Sequence, residues 1–407
     1  MVVAIASIFV VACGDDETTT SSSSDGSGTA SAADTGSDTD AATLRAGLTH
    51  ILTEHVDLAG IAVIQAATVE GGLDSPEFEA AAAALDENSV ALGDAIGSVY
   101  GKAAGKQFLE LWRSHIGMFV NYAKGRLTGD DKLAAKAAAD LDQYRSDFGA
   151  FIESATEGGL SKEAVAEALA PHVASVAKAV DDIAAGTGNP FVDLQEAASH
   201  MPDIAAALSG AIATQNEIPG DPASPASELR AALTGLLDGH VYAATITIAT
   251  AINAGGDLKD PGVVAAQEAL DANTDALAAA IGSVYGDPAG EQFKELWNTH
   301  IGFFVDYTLG KATGDEKGAK AAKKDLAGYR EDFGAFLESA TEGGLTKDAV
   351  SEALIPHVES LLTTIDAAVA GDTEVFADLR TAASHDVDLA AVLAGAITTQ
   401  FPDKFGG

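Results

Sequence analysis

The chain contains very little cysteine and few basic residues. Cys13 is the only cysteine among 407 residues, so no disulfide can form within the chain. Lysine and arginine number 23 against 61 acidic residues, which gives a net charge of −38. Such a negative field repels phosphate backbones and attracts cations. We therefore expect no nucleic-acid partner, while the same acidity is also typical of a well-solvated exterior.

Several catalytic and cofactor motifs are also missing. The sequence has no His-Glu-x-x-His zinc-peptidase motif, no Cys-x-x-Cys-His haem-attachment motif and no nucleophile elbow. The segment 101–106, GKAAGK, has the wrong spacing for a phosphate-binding loop, and the related segment 286–291 reads GDPAGE. These absences leave an enzymatic activity undecided and favour a non-catalytic protein.

Period-two alternation of apolar and polar residues, the pattern of β-strands, is absent too. Apolar residues instead recur at helical spacing between stretches rich in glycine and proline. Ser75 followed by Pro76 predicts a helix start, and Ser161 predicts another. Pro171 is expected to kink or divide the helix that contains it. The predicted fold class is all-α.

A long segment recurs in the chain. Residues 100–125, YGKAAGKQFLELWRSHIGMFVNYAKG, return at 285–310 as YGDPAGEQFKELWNTHIGFFVDYTLG. The sequence thus predicts two tandem bundles of about six helices each, at 42–214 and 227–400. A proline-rich linker at 215–226 separates them, a short tail covers 401–407, and contact between the bundles stays open.

The N-terminal residues have the character of an export signal. Residues 1–12 are an apolar run too short to span a bilayer, although no basic residue precedes Arg45. The tetrapeptide VVAC at 10–13 resembles the bacterial lipobox, which implies cleavage before Cys13, a lipid on its sulfur and a membrane anchor outside the cytoplasm. The segment 13–41, rich in Ser, Thr, Asp and Gly, is expected to be a disordered tether.

Histidines interrupt the apolar faces of several predicted helices. Four histidines of the first bundle have a counterpart 185 residues further along, and the eight are His55, His115, His172, His200, His240, His300, His357 and His385. A helical bundle can bring such residues to one level and so build a metal site. By contrast, His50 lies off this face and becomes Gly235 in the second bundle, so we expect a surface position.

Two interpretations of these histidines stay open. They are either neutral buried rings that neighbouring groups satisfy, or ligands of a transition metal, with zinc or copper favoured and a non-covalent haem as an alternative. A di-iron carboxylate site is disfavoured because none of the eight has Glu three residues before it. The residues expected to orient the rings are Asn88, Tyr144, Asp147, Asn273, Tyr329 and Asp332.

The pattern YG-x-x-AG-x-x-F-x-x-LW-x-x-HI, with His55 and Asn88 on the preceding helices, resembles a family of small helical bacterial proteins that are often secreted or surface-associated. The resemblance implies one such unit in each bundle and carries no activity. Together these features predict a lipid-anchored protein that binds a transition metal for storage, buffering or delivery. The alternative from another class is a surface interaction protein with structural histidines, and a metalloenzyme or haem protein ranks third.

Overall fold

The computed structural model describes residues 36–406. Helices account for all regular secondary structure in this range, which contains no strand, and the predicted all-α class is confirmed. The predicted signal peptide, Cys13 and most of the predicted tether lie outside the described residues. The body begins before residue 42, because Thr39 caps a helix that starts at Asp40.

The first half of the described chain, residues 36–216, contains seven α-helices and one short 3₁₀ turn, Gly72–Asp74. The helices are α1 (Asp40–Thr68), α2 (Pro76–Tyr100), α3 (Lys102–Thr128), α4 (Asp131–Ala155), α5 (Lys162–Ala185), α6 (Pro190–Ser199) and α7 (Met201–Asn216).

The second half, residues 225–406, repeats this order. Its helices are α8 (Pro225–Asn253), α9 (Pro261–Tyr285), α10 (Asp287–Thr313), α11 (Glu316–Ala340), α12 (Lys347–Ala370), α13 (Val375–Gln400) and the short α14 (Pro402–Phe405). Helices α8 to α12 begin and end 185 residues after α1 to α5. By length and composition, α8 and α12 could each cross a membrane. Both helices also contribute buried residues to the bundle core.

Local sequence explains most helix starts. The Ser75 and Ser161 hydroxyls accept hydrogen bonds from the backbone N–H of Phe78 and Ala164, as expected of N-caps. Helix α5 continues through Pro171 without being divided. The last predicted helix of the first half is instead split at His200, whereas α13 is continuous.

The split at His200 follows from proline chemistry. Pro202 lacks a backbone N–H and crowds the carbonyl of residue 198, so a single helix through this position is strongly disfavoured. Val387 stands at the corresponding position of α13 and imposes no such restriction. One substitution therefore explains why this helix is divided in the first half and continuous in the second.

The first helices of the two halves, α1 and α8, pack directly against each other. Hydrogen bonds join Arg230 to Thr43 at 3.0 Å and Tyr242 to Glu54 at 3.1 Å. Because the paired residue numbers rise together along both helices, α1 and α8 run parallel. Helix α1 is buried around most of its circumference, so the halves share an extensive interface.

The predicted linker is held against this interface. Helices cover its ends, which leaves residues 217–224 between α7 and α8. Within that segment the Pro219 carbonyl accepts from the Ala41 backbone N–H at 3.0 Å, and the Pro222 carbonyl accepts from Arg45 at 2.8 Å. The linker therefore also fixes the start of α1.

The expectation that His50 lies on the surface is wrong. Its Nδ1 lies 3.0 Å from the carboxylate of Asp238 on α8, and its side chain is 18% exposed. Nearby, Arg380 of α13 donates to Glu54, so charged groups of both halves meet within the interface. The sequence offered no signal for this pairing because the partners belong to different halves.

Glycine allows α4 and α5 to approach closely. A methyl group added at Gly149 would overlap the Lys162 carbonyl oxygen, and Gly334 faces Lys347 in the same way. We expect Gly149→Ala to lower the free energy of unfolding by about 1–3 kcal/mol, the usual cost of overpacking. Urea unfolding would measure this change. Gly117→Ala is the control, because a methyl group at this position meets no described atom within 4 Å and alanine favours the helix. Equal losses of stability in the two variants would contradict the overpacking argument.

Candidate metal centre

Two histidines from neighbouring helices face each other in each half. In the first half, His55 on α1 and His115 on α3 bring their Nε2 atoms to 3.3 Å. In the second half, His240 on α8 and His300 on α10 do so at 3.2 Å. All four side chains are buried, with exposures of 5% or less. The bundle therefore does bring these predicted residues together in pairs.

An aromatic shell surrounds each pair. The Trp112 ring lies 4.7 Å from His55 and 4.6 Å from His115, measured between centroids, and Tyr144 stacks on His115 at 4.8 Å. Burial, followed by the charges of neighbouring histidines, lowers the pKa of His115 to about 3 and holds the pKa of His55 well below its usual range. Both imidazoles are therefore neutral at physiological pH and available as Lewis bases.

A third histidine of the first half is close to this pair. His172 on α5 lines the same small, apolar cavity, of about 40 Å³, as His55 and His115. Its Nδ1 lies 3.4 Å from the Ala197 carbonyl oxygen, and burial lowers its pKa to about 4. Across residues 36–406, however, no three His, Cys, Asp or Glu side chains are arranged together as a metal-binding group.

Among the described residues, only His172 of the three histidines that line this cavity has a hydrogen-bond acceptor at Nδ1, and Nδ1 of His55 and of His115 has no partner. Besides Ala197 at His172, the Trp112 carbonyl interacts with His115 and raises its pKa against the effect of burial. Asn88 donates from Nδ2 to the Ile51 carbonyl at 2.9 Å and to Glu54 at 2.7 Å, and its polar side chain raises the pKa of His55. The Ala197 carbonyl favours a proton on Nδ1 of His172 and leaves a lone pair on its Nε2, the arrangement of metal-binding histidines.

The second-half pair has different hydrogen bonds. Trp297 donates from Nε1 to Nδ1 of His240 at 3.2 Å, so the proton of neutral His240 is on Nε2. That proton points at Nε2 of His300, and the two rings can satisfy each other without an ion. In the first half the corresponding Trp112 Nε1 has no hydrogen-bond partner among residues 36–406.

The third histidine also differs between the halves. His357 Nδ1 lies 3.0 Å from Asp386, a carboxylate that stands where the first half has Met201. Burial lowers the pKa of His357, but the charge and hydrogen bond of Asp386 outweigh it and the net shift is upward. Asp386 was not among the predicted site residues. The available signal was that an aspartate beside His385 replaces the apolar Met201 of the first half.

The remaining predicted residues are distributed unevenly. Tyr144 and Tyr329 are buried beside the pairs with unpartnered hydroxyls, and Asn273 donates to the Leu236 carbonyl, as Asn88 does to Ile51. Asp147 and Asp332 lie on the exposed surface, apart from the histidines. His200 caps the break between α6 and α7, and His385 is half-buried on α13.

No family model, curated protein or solved structure matches this chain. The resemblance to small helical bacterial proteins therefore stays a prediction, and the geometry of the site carries the functional argument by itself.

Proposed function

We propose that the chain binds a transition-metal ion, copper in preference to zinc, between His55 and His115, with His172 as a third donor. Its role is storage, buffering or delivery of the ion rather than catalysis. The observation that carries the proposal is the approach of two neutral, buried imidazoles whose Nε2 atoms face each other at 3.3 Å.

The separation fits a shared ion. With bonds of about 2.0–2.1 Å, a metal ion holds two imidazole nitrogens about 3.3 Å apart in a tetrahedral site and about 3.5 Å apart in a trigonal site. If both rings carry their protons on Nδ1, two lone pairs face each other in an apolar shell, and a cation between them removes that repulsion.

The ligand chemistry favours copper. All three donors are neutral and the lining of their cavity contains no carboxylate, so no lining residue compensates a second positive charge. Copper(I) carries one positive charge and can be bound by two or three imidazoles. It therefore suits this cavity better than zinc, which carries two positive charges and usually has four ligands. Zinc binding remains one of the outcomes that the experiment distinguishes.

The proposed location is the outer side of a membrane. It rests on the lipobox-like residues 10–13, through which a lipid on Cys13 would anchor the chain, and on the polar tether that follows. The net charge of −38 raises the local concentration of cations around the bundles.

A second candidate function is a surface interaction protein with structural histidines. The observation that favours it is the second-half pair, where Trp297, His240 and His300 form a chain of hydrogen bonds that needs no ion. If the first pair behaves in the same way, the histidines stabilise the core and carry no ligand.

Copper binding tests the proposal directly. We expect the chain, produced without a histidine tag, to bind one copper(I) ion in competition with a coloured chelator under reducing conditions. His115→Leu should weaken this binding by more than about 100-fold, because the ion loses a direct ligand. The matched variant His300→Leu should leave the tight site unchanged.

Three results would contradict the proposal. They are the absence of tight copper binding, equal losses in the two variants, and no rise in melting temperature when copper is added, since a ligand of the native state must stabilise it. Tight binding of zinc with the same dependence on His115 would keep the site and change the ion.

A further inference from the structure

A cavity lies beside His240 in the second half. It has a volume of about 140 Å³, and its lining includes His240, Leu270, Phe304 and Leu361. The volume is close to the roughly 150 Å³ of an apolar protein cavity that binds benzene. Leu258, which is 42% exposed, lies at its rim.

The first half has a much smaller cavity at the corresponding place. That cavity, beside His55, measures about 50 Å³ and is lined in part by Phe78. In the second half Val263 occupies the corresponding position of α9 and lines the larger cavity. Replacement of the phenylalanine side chain by an isopropyl group removes four carbon atoms from the lining, which contributes to the larger volume of the second cavity.

Hydroxyl groups give the second cavity acceptors that the first lacks. Thr247, Thr308 and Thr364 line it, where the first half has Ala62, Ala123 and Ala179. Each threonine hydroxyl donates its proton to a carbonyl of its own helix, at 2.8, 2.8 and 3.0 Å. These three hydroxyls therefore offer only oxygen lone pairs to a ligand that donates hydrogen bonds, whereas Thr245 and Gln267 in the same lining also carry donors.

The charge at the mouth also differs. In the first half Asp86 is neutralised by two hydrogen bonds from Arg113, at 2.6 and 2.7 Å. In the second half Asn298 replaces that arginine, and Lys294 pairs with Asp275. Asp271, which corresponds to Asp86, lines the cavity without a salt bridge among the described residues, and burial raises its pKa.

We propose that this cavity binds a small primary amine with a single apolar ring, its ring beside Leu270 and Phe304 and its ammonium group toward Asp271. The assignment is independent of the copper site, because it concerns the other half of the chain. It also gives the two halves separate roles, since the first half has neither the space nor the free carboxylate.

Benzylamine is the probe, with toluene and benzoate as matched ligands that remove or reverse the charge. Calorimetry and ligand-observed NMR on the intact chain should show that benzylamine binds at least about tenfold more tightly than toluene, and that benzoate does not bind. Asp271→Asn, a change at the exposed mouth, should abolish the preference for benzylamine over toluene.

Two reciprocal variants test the location. Val263→Phe introduces the residue of the first half and should weaken benzylamine binding by more than about tenfold. Phe78→Val should create a cavity in the first half that takes toluene without preferring benzylamine, because Arg113 still neutralises Asp86. Melting curves without ligand identify any cavity variant that fails to fold. In that event, the loss of the preference for benzylamine over toluene in Asp271→Asn tests the location.

The proposal is overturned if benzylamine does not bind, if benzylamine and toluene bind equally, or if Val263→Phe and Asp271→Asn both leave benzylamine binding unchanged. Loss of copper binding in the His115→Leu variant has no bearing on these measurements, so the two proposals can fail separately.

Discussion

Replacing Arg380 with alanine is expected to lower the free energy of unfolding by about 3–5 kcal/mol, the usual cost of leaving a buried charge without its partner. Arg380 donates from Nε and Nη2 to the Glu54 carboxylate at 3.0 and 3.2 Å. Glu54 is only 2% exposed. The carboxylate therefore has almost no contact with solvent.

The network around Glu54 explains the size of the effect. Tyr242 donates to the same carboxylate at 3.1 Å and Asn88 donates at 2.7 Å, so four donors from α2, α8 and α13 satisfy a carboxylate of α1. Burial raises the pKa of Glu54, but His50, Arg380 and Asn88 outweigh it and the net shift is downward. Without Arg380 the protein must keep an unpaired anion or protonate it.

An exposed pair of the same geometry provides the control. Arg113 also binds a carboxylate, Asp86, through two nitrogen atoms, but both side chains are nearly half exposed. Arg113→Ala should therefore cost only about 0–1 kcal/mol. Chemical unfolding of both variants measures the difference, and a loss below about 1 kcal/mol for Arg380→Ala would contradict the assigned role of this network.

The second large effect is a loss of stability at alkaline pH that depends on His50. Burial lowers the pKa of His50, but Asp238 outweighs it and raises the pKa from 6.5 to about 9. A histidine whose folded-state pKa is raised stabilises the fold fully below pH 6.5 and loses that contribution as the pH rises through 9. We expect this group to contribute about 3 kcal/mol at pH 6 and almost nothing at pH 10.

Asp238 is the partner that gives His50 this pH dependence. Burial is the main reason that its pKa rises to about 6, so it is ionised and paired with His50 between about pH 6 and pH 9. Above pH 9 a neutral His50 leaves a buried aspartate unpaired. Urea unfolding of the parent chain and of His50→Gln between pH 6 and pH 10 measures the contribution, which should appear as a difference that shrinks with rising pH. A constant difference between the two proteins would refute the pairing.

Many elements of the fold and of the site were predictable because their signals are local. Ser75 with Pro76 predicts a helix start through the geometry of the first turn, and the helical spacing of Trp112, His115 and Phe119 places an imidazole on an apolar face. The recurrence of these residues after 185 positions predicts a second unit of the same kind. Helix starts and buried faces depend mainly on residues within a few turns, so one sequence is sufficient to infer them.

Contacts between distant segments were decided by the tertiary structure alone. Spacing along one helix does not reveal that His55 meets His115 or that His50 meets Asp238, because both contacts depend on how separate helices approach and rotate. The same holds for the functional differences between the halves, since the effects of Asp386 and Val263 depend on what each faces. The sequence by itself determined the all-α class, the helix starts and the apolar faces that hold the histidines. Only the tertiary structure decided which histidines pair and how the halves join, because side-chain contacts across helices depend on packing geometry that no local pattern encodes.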